Sequence, residues 1–282
     1  MKKTFSLLLC AFTLLLSFSL AVSAGSAAVE SIEAVQTLTS PKIDGTADKL
    51  WDNAKFVDVV KFGSNIYKNT STPEAHAKNP VASAKVKLMW DETHLYVLGI
   101  VTDPTPNTKA TKNGDEHIDG MDVQISENNA PSGKMRDDTV GSGNTLPANG
   151  NFNININGKA TGWGGVWFAN NGSSKVVSAA KQTDTGYIIE AALPLQTIKG
   201  SVGTKIGIEF QINDNQTGEG RTAIRQWSCE TCSAHSEAKH LGTCTFVAAP
   251  VQKAPATFDM GLTAAVSAAL ALAGFTAAKK RK

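Results

Sequence analysis

The amino-acid sequence predicts an all-β fold, an antiparallel β-sandwich of Ig-like or jelly-roll-like type, with an N-terminal signal helix and a C-terminal hydrophobic helix lying outside it. Three observations carry this expectation. Asn153-Ile154-Asn155-Ile156-Asn157 alternates strictly, so its isoleucines share one face of a strand and its asparagines the other. Lys85-Val86-Lys87-Leu88-Met89-Trp90 and the run from Leu95 to Val101 flank a short polar turn, the pattern of a β-hairpin. Between residues 31 and 247 there is no long amphipathic helix, and the stretches from Asp103 to Gly120 and from Asn128 to Gly150 are dense in Gly, Pro, Asn and Asp. A chain with 24 glycines and only 18% charged residues suits many short strands joined by turns.

From the N-terminus, Met1-Lys2-Lys3 followed by the apolar run Phe5 to Val22 and the small residues Val22-Ser23-Ala24 reads as a secretory signal peptide over residues 1–24. Cys10 leaves with it. Residues 31–247 form the sandwich domain, with further strands expected at Met121 to Ile125, Gly186 to Ala192 and Ile206 to Ile212. Residues 248–259 are a spacer with a sorting motif, and 260–282 a hydrophobic anchor with a basic tail. Gly261 to Ala278 is uncharged and ends on Lys279-Lys280-Arg281-Lys282, which orients it with the C-terminus inside. Pro255-Ala256-Thr257-Phe258-Asp259 just before it resembles a variant of the cell-wall sorting signals of Gram-positive bacteria, in which a sortase cuts after the threonine and joins the protein to peptidoglycan. A plain membrane anchor is the alternative. Both place the domain outside the cell, on its surface.

The charge balance follows the same division. Six of the 27 basic residues sit at the two tips, leaving 21 against 25 acidic residues in between. A slightly acidic domain lacks the clustered basic surface that nucleic-acid binding requires.

The order of several motifs is similar to that of a family 9 carbohydrate-binding module. Ile43-Asp44-Gly45 with Asp48 and Trp51 opens the match. Ala84 to Glu92 leading into Leu95-Tyr96-Val97, then Val101-Thr102-Asp103-Pro104, continues it. Asp119 to Ile125, Gly186 to Pro194, Ile208 to Asp214 and Trp227-Ser228 complete it. The resemblance implies a β-sandwich that binds plant polysaccharide or oligosaccharide such as xylan or cellulose, without catalysis, alongside glycoside hydrolases. Trp51, Trp90 and Tyr96 are expected in the core, since large aromatics dominate buried area. The family's sugar site uses two tryptophans, an acidic residue and an arginine. The acidic position falls on Asp122 and the arginine on Asn153; the tryptophans fall near Glu116 and near His235, neither of them Trp. Trp163 and Trp167, set among glycines and asparagines, offer a substitute stacking platform, or else they cap the sandwich end.

Cys229, Cys232 and Cys244 remain in the mature domain. Cys229-Glu230-Thr231-Cys232 with His235 and His240 imitates zinc-ligand spacing, but outside the cell a disulfide is expected, with Cys229 or Cys232 pairing Cys244. Calcium is the cofactor the resemblance implies, and the loops are rich in Asp and Asn oxygens; Asn213 to Gly218 imitates a calcium loop too loosely to assign ligands. Glu190 and Glu209 lie on strands and are expected at the surface in salt bridges rather than as a glycosidase pair. Two rival functions stand beside sugar binding: a haem-binding sandwich, with Met121, His117 or His235 as axial ligands, and a structural surface protein or adhesin without a ligand.

Overall fold

The computed structural model describes residues 30–62, 80–129, 135, 149–163, 175–231 and 234–250. The signal segment, Trp167, Cys232, the sorting motif with Pro255 and Thr257, and the uncharged C-terminal run lie outside the described residues. Among those described, no helix is long and apolar enough to cross a membrane.

Thirteen strands are formed among the described residues: β1 Ser31–Gln36, β2 Val57–Val59, β3 Lys61–Phe62, β4 Ser83–Trp90, β5 His94–Thr102, β6 Gly120–Ser126, β7 Asn149–Asn155, β8 Ala160–Trp163, β9 Val177–Thr183, β10 Gly186–Pro194, β11 Lys205–Asp214, β12 Ala223–Gln226 and β13 Gly242–Val247. They join in the order β8-β7-β6-β11-β13-β1-β4-β5-β10-β9, with β2 on β4 and β12 bridging β11 and β3. The expected hairpin is β4 and β5, paired antiparallel from Ser83 opposite Thr102 to Trp90 opposite Leu95. The sheet is antiparallel except at β1, which runs parallel to both β13 and β4 and so joins the two halves.

The sheet folds over itself so that one face of each half meets the other. Val86, Leu88, Val97, Tyr187 and Ile189 from one half pack with Met121, Val123, Phe152, Ile154, Ile208 and Phe210 from the other. The close approach is direct: a Cβ on Gly99 of β5 would meet the Met121 thioether at 3.0 Å. Met121 is 0% exposed within this core, so it cannot reach a haem iron; an apolar side chain at an inward position of a central strand is packing, and this corrects the axial-ligand expectation.

The outer face of the β4-β5-β10 half is closed by residues 41–54. Trp51, Met89, Tyr96, Leu98 and Ala192 form a second apolar cluster there. The covering turn is pinned by Glu190, whose carboxylate accepts the backbone N–H groups of Asp44 (3.0 Å), Gly45 (2.9 Å) and Thr46 (3.2 Å) and the Trp51 indole N–H (3.0 Å). Gly45 has φ +77° and its backbone lies against Ala180, where a Cβ would sit 2.9 Å from the Ala180 carbonyl carbon. Asp44 bonds the Thr46 N–H in the expected turn. Trp51, Trp90 and Tyr96 are buried, as expected for core aromatics.

Candidate functional site

The outer face of the other half is polar instead. Along β6, Met121, Val123 and Ile125 point into the core, which turns Asp122, Gln124 and Ser126 outward. The same alternation on β7 turns out Asn149, Asn151 and Asn153, and on β11 it turns out Glu209, Gln211 and Asn213. Register lines these up in rows across the sheet. Gln226, Gln211, Asp122, Asn153 and Thr161 stand opposite one another, and so do Glu209, Gln124, Asn151 and Trp163. Gly120 lets the strands approach at this end, since a Cβ there would lie 2.6 Å from the Ile154 carbonyl oxygen.

Asp122 is the hub. Its Oδ1 accepts the amides of Asn153 and Asn213, each at 2.8 Å, and its Oδ2 accepts the Gln211 amide at 3.3 Å. Gln226 donates to Gln211 at 3.2 Å, and the Arg221 guanidinium to the Asn213 carbonyl at 2.7 Å. Asp122 is 5% exposed. Burial lifts its carboxyl above the ordinary range, while the Arg221 charge and the amides of Asn153 and Asn213 pull it back. The ligand-binding expectation for Asp122 and Asn153 therefore falls on a bonded pair. Several partners were not legible: Gln124, Asn151, Gln211 and Asn213 belong to the same face. The signal that finds them is a polar residue at every second position on three strands that also supply the core. The Oδ1 atoms of Asn151 and Asn153, and both amide atoms of Gln124, are buried with no hydrogen-bond partner among the described residues. Such groups are costly in a folded interior unless something else meets them.

One end of the face is bounded by the small apolar cluster of Met135, Cys229, Ala234, Ala238 and Leu241. The segment that carries most of it starts on Glu209, which is 0% exposed and accepts backbone N–H groups from Phe210, Trp227, Ser228 and Cys229 at 2.7–3.0 Å. Glu209 and Glu190 are thus buried backbone acceptors. The salt-bridge expectation for both is corrected, because loops cover the outer faces at these points. His235 lies half-buried in the segment between β12 and β13. Trp163 stands opposite Asn151, on β8. His117 accepts the Arg221 backbone N–H at 3.2 Å, beside the row end.

The expected disulfide to Cys244 is also corrected. Cys229 and Cys244 are free thiols in different clusters: Cys244 faces the central core from β13, and Cys229 lies in the cluster on the outer face. The sheet itself separates them.

At one edge of the sandwich, Asp103, Asp119 and Asp214 bring one carboxylate oxygen each within 4.8 Å of one another, all buried. They end β5, precede β6 and end β11. Backbone N–H groups of Thr105 and Ala82 satisfy one oxygen of Asp103 and of Asp214, and those of Asn107 and Asn215 meet both oxygens of Asp119. Asp103 Oδ2, Asp214 Oδ1 and the buried Tyr187 hydroxyl have no hydrogen-bond partner among the described residues. Burial pushes Asp119 up to about 8 and Asp214 to about 7, and it raises Asp103; the neighbouring carboxylate charges add to the rise in Asp119 and Asp214. An all-oxygen donor set with surplus negative charge fits a hard divalent cation. Of the loosely calcium-like Asn213 to Gly218, only Asp214 takes part. Asn215 spends its carbonyl on the N–H groups of Gly218 and Gly220, and Asn213 belongs to the polar face.

Comparison with known proteins gives a consistent result. A family model described as carbohydrate family 9 binding domain-like matches residues 43–249. Endo-1,4-beta-xylanase A of Thermotoga maritima is 33% identical over 207 residues, 72% of this chain and 16% of that protein. Exoglucanase XynX of Acetivibrio thermocellus is 28% identical over 222 residues, 78% of this chain and 18% of that protein. The chain thus spans under a fifth of the length of these relatives. A family 9 carbohydrate-binding module from Caldicellulosiruptor kristjanssonii, solved with cellotriose, superposes with a TM-score of 0.60 at 24% identity over 80% of this chain and 98% of that one.

Proposed function

This chain belongs to the carbohydrate family 9 binding domain-like family, and from that premise we propose that it is a non-catalytic domain that holds a plant polysaccharide or oligosaccharide on the polar outer face of β6, β7 and β11. The observation that carries the reading is the Asp122 hub with its ring of amides, flanked by buried acceptors that lack a partner among the described residues. Sugar hydroxyls are the matching chemistry, because each both donates and accepts. Glucose and cellotriose are the ligands in the solved modules of similar fold, and cellotriose is therefore the first ligand to try.

Catalysis is not part of the reading, since the two strand carboxylates first considered as a glycosidase pair are each buried and bonded on both oxygens, Glu209 by backbone N–H groups and Glu190 by backbone N–H groups and the Trp51 indole. Calcium at Asp103, Asp119 and Asp214 holds three strand ends together at the edge of the sheet and stabilises the fold. Delivery by the signal peptide over residues 1–24, followed by retention at the surface of a Gram-positive cell, completes the proposal. The support is the uncharged run before Lys279-Lys280-Arg281-Lys282 and the Pro255 and Thr257 spacing, which suits a sortase or a membrane anchor. Trp163, Trp167 and His235 remain assigned to sugar contact on their sequence positions.

The test is retention of the protein in affinity electrophoresis through gels containing soluble glucan or xylan. The wild type is retarded and Asp122→Ala runs freely, a loss of about ten-fold or more in affinity for removal of a buried, multiply bonded carboxylate. Equal mobility of the two proteins in every gel contradicts the proposal.

A further inference from the structure

The polar face carries more hydrogen-bonding capacity than the Asp122 row uses. In the next row, Gln124 is fully buried and neither its Nε2 nor its Oε1 has a partner among the described residues; Asn151, its register neighbour, leaves its Oδ1 in the same state. Glu209 on the other side of Gln124 cannot serve them, because backbone N–H groups occupy both of its oxygens. Across β7 the row continues to Trp163 on β8. A leucine at position 124 would fill similar space without burying polar atoms, so the amide is kept at a cost to the fold.

We infer that Gln124 and Asn151 form a second contact row, which takes hydroxyls of an uncharged sugar unit next to the one held at Asp122. This rests on the carbohydrate-binding reading above. The stoichiometry fits a pair of neighbouring hydroxyls, which donate to Gln124 Oε1 and Asn151 Oδ1 while one of them accepts from Gln124 Nε2. A uronic acid fits badly, since its carboxylate brings acceptors to acceptors and a negative charge beside Asp122. The two rows start roughly 7 Å apart along the strand. One hydroxyl bonded on both sides spans only about 5.5 Å. Each row therefore meets its own part of the ligand, and the second row rewards a longer chain.

The experiment is isothermal titration of the full chain as wild type, Gln124→Leu and Asn151→Leu, with glucose, cellotriose and trigalacturonate. The wild type is expected to prefer cellotriose over both others by about ten-fold, and each variant to lose most of that preference. The unfolding temperature of ligand-free Gln124→Leu should equal or exceed that of the wild type, which separates a ligand contact from a structural bond. A variant that keeps the cellotriose preference overturns the inference, and so does a Gln124→Leu protein that loses stability and both sugars together. Equal wild-type affinity for trigalacturonate overturns the uncharged unit. If the wild type binds none of the three sugars, the carbohydrate reading itself fails and the inference falls with it.

Discussion

Glu209 shows how one side chain links the fold to the face it supports. It is an outward residue of β11 by alternation, yet the chain from Trp227 to Cys229 folds over it and hands it backbone N–H groups. Burial pushes its carboxyl up to about 7, against the pull of those donors. The stability linked to this raised value is fully present below the ordinary glutamate range and is lost as pH rises toward 7. The loss amounts to about 3 kcal/mol across that window. Urea unfolding of the wild type and Glu209→Gln from pH 4.5 to 8 checks this: the wild type should weaken relative to the variant, which cannot ionise. Parallel curves would mean that the carboxyl does not titrate there. At this scale the sequence was a partial guide. It put Trp51, Trp90 and Tyr96 in the core correctly, because large aromatics amid apolar neighbours dominate buried area. It put Glu190 and Glu209 in water, because alternation tells which face a residue takes and not what covers that face.

Strands were legible where polar and apolar residues alternate, as in β4, β6 and β11, or where a short apolar run is bounded by turn residues, as in β5 and β10. The isoleucines of the Asn153 to Asn157 run do enter the core, although the strand itself is β7, Asn149–Asn155. β1, β2, β3, β8, β9, β12 and β13 were not foreseen: β9 is an exposed edge strand, and β13 mixes Gly and Thr with its inward Cys244 and Phe246. The parallel pairing of β1 reaches β13, over 200 residues away, and β4, more than 50 away, which no local pattern encodes. The segment 41–54 is an element of a different kind, a loop held by one carboxylate. Glu190→Ala strands three backbone N–H groups and the Trp51 indole, and it should cost about 3 kcal/mol by chemical denaturation. Affinity for cellotriose should stay within two-fold, since this loop lies on the opposite side of the sandwich from Asp122. A change in affinity as large as the change in stability would show that the two outer faces are coupled.

For the whole molecule, a single shared core supports two outer faces with separate tasks, one closed by apolar packing and one left polar. The acidic cluster draws Asp103, Asp119 and Asp214 from three strand ends, so a bound cation ties both halves together. Calcium at about 100 times its dissociation constant would add about 2.7 kcal/mol. For a domain of this size that is a rise of roughly 5–10 °C in the unfolding temperature. Chelation should reverse the rise and Asp214→Asn should abolish it; an unfolding temperature indifferent to calcium and chelator would remove the cation from the account. The site was partly legible because the resemblance pointed to Asp122 and Asn153. The rest of the face emerges only when β6, β7 and β11 are laid side by side. The most direct measurement is an amide-resolved NMR titration with cellotriose. Side-chain amide signals of Gln124, Asn151, Asn153, Gln211 and Asn213 should shift together, with the 41–54 segment unmoved. Shifts confined to that segment, or none at saturating sugar, would contradict a glycan site on the polar face.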